Sequence, residues 1–437
     1  MPTLVTRALL YGCSSIPSLF FYILTEKYHG TPNSILVMIA VAQVLLPISF
    51  DGAGILADNA VLAVLSVTLG AGMAFYIRDI WKCGGDLEKK RTLPPFYFVL
   101  ARWNENTPSS RSISTTTAAA AKTHDVPDDV RKPPSVSVIR QDSQWWLLQS
   151  LGYMLLSVPV MSFFDGLLRV CQLPPDTETT SYWHRLPPPW QTLAYHLMAG
   201  FTLHLHVGIV EVLYRLFLTL RLAIFSAIWS SSTTMSTKLK TLLDCYDVTY
   251  RFISQPAIFD KPWLAHSAYN LWSERWHQIF RPGFMKLAYQ PVRALFATST
   301  ATDNKNRNTM ALMGRMTATM AVYVASGLLH DYILVIMMGY STIQSYPGML
   351  GQQTMFFILQ GIASIVSAPG TPWSYWWANM PNWMARLLTL VWIIYTAPIF
   401  VDPYLRIGLH KEAEVPLYPR SFDPYIGFLC PYGSISL

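Results

Sequence analysis

Eight apolar stretches long enough to span a lipid bilayer constrain the fold of this chain more than any other feature. A bilayer core of about 30 Å requires on the order of 20 apolar residues per helix. The stretches are solid runs without the alternation of barrel strands, and only 13% of the 437 residues are charged. They lie at residues 6–24, 34–50, 59–77, 145–168, 190–210, 309–338, 346–368 and 384–403. The sequence therefore predicts an all-α, polytopic helical membrane protein.

A further apolar stretch, residues 212–230, contains Arg215 and Arg221. It either lies along the membrane interface, with its arginine side chains reaching out to water, or extends the preceding helix. The sequence therefore predicts eight or nine transmembrane helices.

Two long basic segments divide the apolar stretches. Residues 78–143 and 230–308 are rich in lysine and arginine, which favours a cytoplasmic location for both. The predicted organisation is a set of N-terminal transmembrane helices at 1–77, a basic and partly disordered cytoplasmic insertion at 78–143, and a membrane domain at 144–437 that carries the loop 230–308. The net charge of +7 reflects these loops, and no nucleic-acid partner is expected.

The stretch 260–284, DKPWLAHSAYNLWSERWHQIFRPGF, is a polar and aromatic island between apolar runs. Asp260 can cap a helix there and Pro282-Gly283 can stop it, which predicts an amphipathic helix of about five turns at the membrane edge. An aromatic stripe would hold Tyr269, Trp272, Trp276 and Ile279, and a polar stripe His266, Asn270, Ser273, His277 and Arg281. Two interpretations stay open: an interfacial anchor without chemistry, or a helix that turns His277 and Arg281 toward a polar tunnel.

His330 and Asp331 lie inside an otherwise apolar run, residues 321–340. Ionisable residues within a span are costly and mark a functional site by default. Ser326 lies one turn before His330 on the same face, whereas Asp331 points about 100° away and is not assumed to form a dyad with it. Gly327 leaves room for another helix or a ligand. His330 is therefore a candidate general base, and the alternative is a buried histidine that bonds across helices.

Other polar residues carry weaker signals. His204 and His206 are two positions apart, which a helix turns to different faces, so no metal site is expected. The five cysteines are scattered and predict neither a zinc site nor a disulfide framework. Gln352, Gln353 and Gln360 either line a cavity or form interhelical hydrogen bonds. The sequence contains no P-loop, dinucleotide fingerprint or G-x-S-x-G motif.

The two chemistry-bearing stretches together resemble one family. WSERWHQIFRPGF is similar to the signature of the wax synthase-like branch of the membrane-bound O-acyltransferase (MBOAT) superfamily, and SGLLHD, residues 326–331, resembles the segment with the superfamily's catalytic histidine. In the first motif the matching residues are Trp272, Arg275, Trp276, His277 and Gln278. The resemblance extends over residues 140–370.

This resemblance implies a helical fold around a tunnel that acyl-CoA enters from the cytoplasmic face, while an alcohol arrives from the bilayer. His330 would be the general base, and His277 a second catalytic residue that donates to the oxyanion or orients the donor. Trp276, Gln278 and Ser326 would position the substrate or the oxyanion. The candidates for the CoA phosphates are Arg275, Arg281, Lys286 and Arg293. Acyl-CoA would be a cosubstrate, with no bound cofactor and no metal.

The overall pattern is most similar to fungal acetyltransferases that act on terpenoid natural products. We therefore expect acetyl transfer from acetyl-CoA to a hydroxyl of a lipophilic terpenoid or meroterpenoid, by a multi-pass protein of the endoplasmic reticulum. The alternatives are a long-chain wax-ester or sterol-ester synthase, a proton-coupled transporter that uses His330 and Asp331, and an interaction protein that merely keeps the fold. The oligomeric state stays open.

Overall fold

The computed structural model describes residues 4–52, 55–84, 86–91, 135–171, 188–229, 236–254, 259–276, 280–297, 304–412, 417 and 420–427. Every regular element in these ranges is helical, which confirms the predicted all-α fold. The longer helices are α1 (Leu4–Lys27), α2 (Asn33–Leu45), α3 (Leu56–Lys82), α4 (Val136–Val170), α5 (Pro188–Trp229), α6 (Ser236–Ser254), α7 (Asn304–Met338), α8 (Gln352–Ser367) and α9 (Asn382–Arg406). Short helical segments lie at Leu46–Phe50, Leu87–Arg91, Pro262–Leu264, Ala268–Asn270, Leu271–Arg275, Arg281–Phe284, Met285–Tyr289, Gln290–Ala297, Tyr340–Ile343, Ser374–Asn379, Leu409–Glu412, Arg420–Phe422 and Asp423–Gly427.

Six helices in the described part of the chain are long and apolar enough to cross a membrane, fewer than the eight or nine predicted. They are α1, α2 together with the short helix after it, α3, α4, α7 and α9. The predicted span 190–210 and the stretch 212–230 form one continuous helix, α5, because no proline interrupts them. The predicted span 346–368 contains α8, which has 16 residues and follows a run of turns.

The chain forms two compact units. Unit 1 comprises Met1–Trp103, Pro159–His206 and Ile258–Leu437, and unit 2 comprises Asn104–Val158 and Val207–Ala257. Unit 2 has its own apolar core, formed by Ile139, Leu222, Leu242 and Cys245. All residues predicted to carry chemistry belong to unit 1. The predicted functional division at residues 77 and 143 stays a prediction.

Helix α7 lies at the centre of unit 1 and packs closely against α8. Helices in a bilayer associate through close packing, so small residues mark the tightest crossings. A Cβ atom added at Gly327 of α7 would lie 2.4 Å from the Cα atom of Thr354 in α8. One added at Gly361 of α8 would lie 3.1 Å from the Cβ atom of Tyr323 in α7. The space that Gly327 was predicted to leave is therefore filled by a helix.

One cysteine forms a disulfide bond that the spacing along the sequence did not indicate. Cys171 is disulfide-bonded, whereas Cys13, Cys83 and Cys245 are free thiols. Scattered spacing along the sequence carries no information about which cysteines meet in space, because the pairing depends on the tertiary fold.

Candidate active site

The imidazole of His330 is held in one orientation by the backbone of its own helix. Its Nδ1 atom lies 2.8 Å from the carbonyl oxygen of Ser326. A carbonyl oxygen can only accept, so Nδ1 carries the hydrogen and Nε2 carries the lone pair. Within the described ranges no hydrogen bond to Nε2 is formed, and the side chain is partly accessible. This is the tautomer that a general base acting through Nε2 requires.

Aromatic rings from two other helices flank His330. The ring centroid of Phe357 in α8 lies 4.8 Å from that of the imidazole, and the ring of Phe400 in α9 lies 5.2 Å away. Phe356 completes the cluster, at 5.2 Å from Phe357 and 5.1 Å from Phe400. Phe357 and Phe400 thus place apolar surface beside the imidazole, and a less polar environment strengthens electrostatic interactions with a reacting group.

The side chain of Asp331 forms its contacts away from His330, as the 100° rotation between consecutive helix residues predicted. Its Oδ1 accepts a hydrogen bond from the backbone N–H of Gly351 at 3.1 Å. Its Oδ2 accepts from the Thr354 hydroxyl at 2.6 Å and from the Thr354 N–H at 3.3 Å. A carboxylate is well placed at a helix N-terminus because the first N–H groups there have no partner within the helix. Asp331 therefore anchors α8 to α7.

The five-turn helix predicted for residues 261–281 is absent from the described part of that stretch. Ser267, and not Asp260, caps the helical turn, because its Oγ accepts from the N–H of Asn270 at 2.9 Å. A π-helical turn follows at Leu271–Arg275 and closes with the bond from the Trp276 N–H to the Leu271 carbonyl at 2.8 Å. Trp276 itself is extended, with φ −111° and ψ 124°. The chain is therefore a compact loop with one wide turn.

Arg275 explains why the loop closes on itself. Its Nε donates to Asn270 Oδ1 at 2.8 Å, and one of its Nη atoms donates to the Asp260 carbonyl oxygen at 3.1 Å. The backbone N–H of Asp260 donates in return to the Arg275 carbonyl at 2.8 Å. These bonds compete successfully with a continued α-helix, because a planar guanidinium can satisfy several backbone and amide acceptors at once.

Trp272 attaches this loop to the helices around His330. Its ring lies 5.7 Å from that of Phe357 and 6.4 Å from that of Tyr323, measured between centroids. Its indole N–H donates to Gln360 Oε1 at 3.3 Å. The amide of Gln360 also accepts from Trp392 at 3.1 Å and donates to the hydroxyl of Thr396 at 2.8 Å. Interhelical hydrogen bonding, one of the two roles predicted for Gln360, is thus the one observed.

An unbroken series of aromatic contacts joins the two sequence motifs. It runs from His330 to Phe357, then to Trp272, and from there to Trp276, whose ring centroid lies 5.8 Å from that of Trp272. Trp276 then meets His204 at 5.5 Å. The motif loop and the candidate base, which are separated in sequence, therefore share one aromatic cluster.

Residues 255–359 match the sequence model of the Membrane bound O-acyl transferase family. This match supports membership of that superfamily. It spans both motifs and ends in the first turns of α8, so it covers the loop, the candidate base and the anchor at Asp331. A comparison with curated proteins finds no match. O-acyltransferases of this superfamily use acyl-CoA as cosubstrate, and acyl transfer needs a general base of the kind that His330 can supply.

The basic residues predicted to meet CoA occupy different settings. Arg275 is engaged inside the loop, as described above. Lys286 lies with its Nζ 4.9 Å from the ring centroid of Phe75 in α3. Arg293 is exposed and lies beside Tyr289, with its Cζ 6.0 Å from the ring centroid. Arg281 opens the short helix Arg281–Phe284. Their predicted role stays a prediction.

Two predicted site residues, His277 and Gln278, lie outside the described residues. Ser326 meets the candidate base through its backbone carbonyl.

In the described ranges no group of three histidine, cysteine or acidic side chains is placed to hold a metal ion. His206 instead bonds to the Thr202 carbonyl through Nδ1 at 2.9 Å and faces Asp165 at 3.4 Å.

The phenylalanines around the imidazole and the anchoring role of Asp331 were not predicted from the sequence. Phe357 and Phe400 belong to ordinary apolar runs and carry no local signal, since their role depends on the crossing of α7, α8 and α9. Asp331 carried a signal, because Gly351 and the polar residues after it mark a helix start to which a buried carboxylate could bond.

Proposed function

We propose that this protein transfers an acyl group from acyl-CoA to a hydroxyl of a lipophilic acceptor, within the wax synthase-like branch of the superfamily. The observation that carries the proposal is the orientation of His330, with Nδ1 bonded to the Ser326 carbonyl and Nε2 directed away from protein partners. The shared aromatic cluster supports it, since it brings the motif loop and this imidazole into one site.

In the proposed reaction, Nε2 of His330 accepts the proton of the acceptor hydroxyl as its oxygen attacks the thioester carbonyl carbon. The tetrahedral intermediate then collapses, the carbon–sulfur bond breaks, and the proton passes to the departing CoA sulfur. The negative oxygen of the intermediate needs a hydrogen-bond donor, and His277 and Gln278 are the candidates. A general base of this kind contributes roughly 10²–10⁴-fold in rate.

We infer further that the donor is acetyl-CoA and that the acceptor is a terpenoid or meroterpenoid alcohol at the endoplasmic reticulum. The phenylalanines around His330 support a lipophilic acceptor, because apolar and aromatic surfaces dominate the sites of such ligands. The choice of acetyl follows the resemblance to fungal terpenoid acetyltransferases. The transporter alternative is less well supported, since the hydrogen bonds of Asp331 in the described part of the chain go to Gly351 and Thr354 at the start of α8 and not to His330, as a proton relay would require.

A microsomal assay tests this proposal, with labelled acetyl-CoA or palmitoyl-CoA and a panel of terpenoid, sterol and fatty alcohols. His330→Ala should lower transfer by at least 10²-fold because the base is lost. His29→Ala, in the turn after α1, serves as the control and should leave transfer unchanged. Undiminished transfer in His330→Ala would remove His330 from the base role. Turnover of palmitoyl-CoA alone would favour a wax-ester or sterol-ester synthase.

A further inference from the structure

A surplus of positive charge lies at the C-terminal end of α3. Arg78 and Lys82 belong to this helix, and Lys286 approaches it from the segment Met285–Tyr289. The carboxylate of Asp79 lies 3.7 Å from an Nη atom of Arg78 and 4.0 Å from Lys82 Nζ. Arg78 and Lys82 thus share one partly exposed carboxylate, and such exposed pairs are weak.

Arg78 and Lys286 converge on one buried ring. The Cζ atom of Arg78 lies 5.8 Å from the ring centroid of Phe75, and Lys286 Nζ lies 4.9 Å from it. Phe75 is only 3% exposed, so both cations rest against the apolar core. Burial, together with the charge of Arg78, lowers the pKa of Lys286 despite the opposing effect of Asp79. The two cations therefore repel each other in partly desolvated positions.

Arg78 also has an unused donor. Its Nε is buried and, among the residues that the structure describes, has no hydrogen-bond partner. A buried donor without a partner destabilises the folded state. Lys82 is stabilised by its position in the last turn of α3, because a helix C-terminus favours a cation. This does not explain why Lys286, which belongs to another segment, also lies here. An anion with several acceptor oxygens would relieve both the repulsion and the unmade bond.

We propose that Arg78, Lys82 and Lys286 form a binding site for a phosphate group. Phosphate oxygens accept short, charge-assisted hydrogen bonds from guanidinium and ammonium groups. Two sources carry such a group at a membrane surface: the nucleotide half of CoA, which rests on the proposed function, and the headgroup of an anionic phospholipid. Arg78 and Lys82 extend the predicted cationic set to the C-terminal end of α3, which the sequence analysis had placed at the start of the basic segment 78–143.

The first test measures binding of adenosine 3′,5′-bisphosphate to the purified full-length protein by calorimetry. Arg78→Gln and Lys286→Gln should each weaken binding about tenfold, because each removes a charge-assisted contact. Lys286→Arg keeps the charge and should bind like the wild type. Arg91→Gln is the matched control, since it removes one exposed positive charge from the same basic segment, and the cations over the Phe75 ring are Arg78 and Lys286.

The second test uses nanodiscs of phosphatidylcholine with or without phosphatidylserine and measures the melting temperature. Weaker nucleotide binding in the two glutamine variants assigns the site to the nucleotide. Loss of stabilisation by phosphatidylserine alone assigns it to a lipid headgroup. If both glutamine variants match the wild type in both tests, the phosphate site is refuted. Neither test depends on acyl transfer, so an inactive enzyme would not alter the result.

Discussion

At the scale of the single residue, Trp272 connects the motif loop to the helices of the site in two ways. Its ring packs among Tyr323, Phe356 and Phe357, and its N–H bonds to Gln360. Loss of the ring would remove packing, whereas loss of the N–H would remove only one hydrogen bond. The two contributions can therefore be separated by substitution.

Trp272→Phe should keep most of the ring packing and lose the bond to Gln360. Because Gln360 Oε1 retains its bond from Trp392, the expected loss is about 1 kcal/mol of stability. Transfer activity should fall as well, since the loop that precedes His277 is loosened. Melting temperature and rate in matched preparations check this, with exposed Trp383→Phe as the control. Equal effects of the two substitutions would contradict the anchoring role.

At the scale of the element, the crossing of α7 and α8 fixes the surroundings of the candidate base. Gly327 and Gly361 bring the helices into contact, and Asp331 holds the start of α8. Phe357 follows Thr354 by one turn on α8, so the same crossing places its ring beside His330. The position of the Phe357 ring beside the imidazole is thus determined by Gly327, Gly361 and Asp331.

Gly327→Ala should destabilise the protein by about 1–3 kcal/mol or more, because the added Cβ would meet the backbone of α8, which cannot rotate away. Gly208→Ala in α5 is the matched control, since a Cβ there meets nothing within 4 Å. It should be neutral or slightly stabilising. Thermal unfolding of the two variants checks the prediction, and equal melting temperatures would contradict the close crossing.

The elements also show which patterns in the sequence were informative. The long apolar runs predicted the spanning helices, because a bilayer leaves few alternatives to a helix. The stripes in residues 260–284 predicted a helix wrongly, since Arg275 and Ser267 divert the backbone through side-chain hydrogen bonds. Such bonds depend on which acceptors come together in space, and periodicity does not record them.

At the scale of the whole molecule, the turn after α2 interlocks with the end of α7 inside unit 1. A Cβ on Gly339 would lie 2.4 Å from the Asp51 carbonyl oxygen, and one on Gly52 would lie 2.6 Å from that of Met338. The Asp51 carboxylate accepts from the Ser341 hydroxyl at 2.6 Å and from its N–H at 3.0 Å. The N-terminal helices are therefore tied to the helix that carries His330.

The stability contributed by the hydrogen bonds between Asp51 and Ser341 should depend on pH. Hydrogen bonds from the side chain and backbone of Ser341 lower the pKa of Asp51 below its ordinary value. A lowered folded-state pKa gives stability that is present above the unfolded-state pKa, about 3.9, and is lost as the pH falls through the folded-state value. The melting temperature of the wild type should thus exceed that of Asp51→Asn at pH 7, and the difference should shrink below about pH 4.

Asparagine suits this comparison because Asp51 has φ +46°, a conformation that asparagine tolerates. Ser341→Ala should reproduce part of the difference, since it removes the hydroxyl bond alone. Parallel melting curves for wild type and Asp51→Asn across the acid range would show that Asp51 does not contribute in this way.

The all-α fold could be predicted from the sequence, and His330 could be singled out as a candidate base, whereas the contacts around it could not be predicted. A histidine inside an apolar run can be recognised from the sequence alone, because an ionisable residue in a membrane span costs free energy. The partners of Trp272 and the phenylalanines beside His330 come from helices far apart in sequence, and no local pattern encodes their meeting. Lys286 could be selected from the sequence as a candidate for binding CoA, but its proximity to Phe75 and Arg78 of α3 could not be predicted.

His330 and Asp331 are consecutive, yet one is directed to the aromatic cluster and the other to the start of α8. Each residue inserted or deleted in α7 ahead of them would rotate both side chains by about 100° around the helix. The imidazole would leave the cluster and the carboxylate would leave its anchor in the same event. An insertion or deletion ahead of this turn of α7 should therefore abolish the site and the helix anchor together.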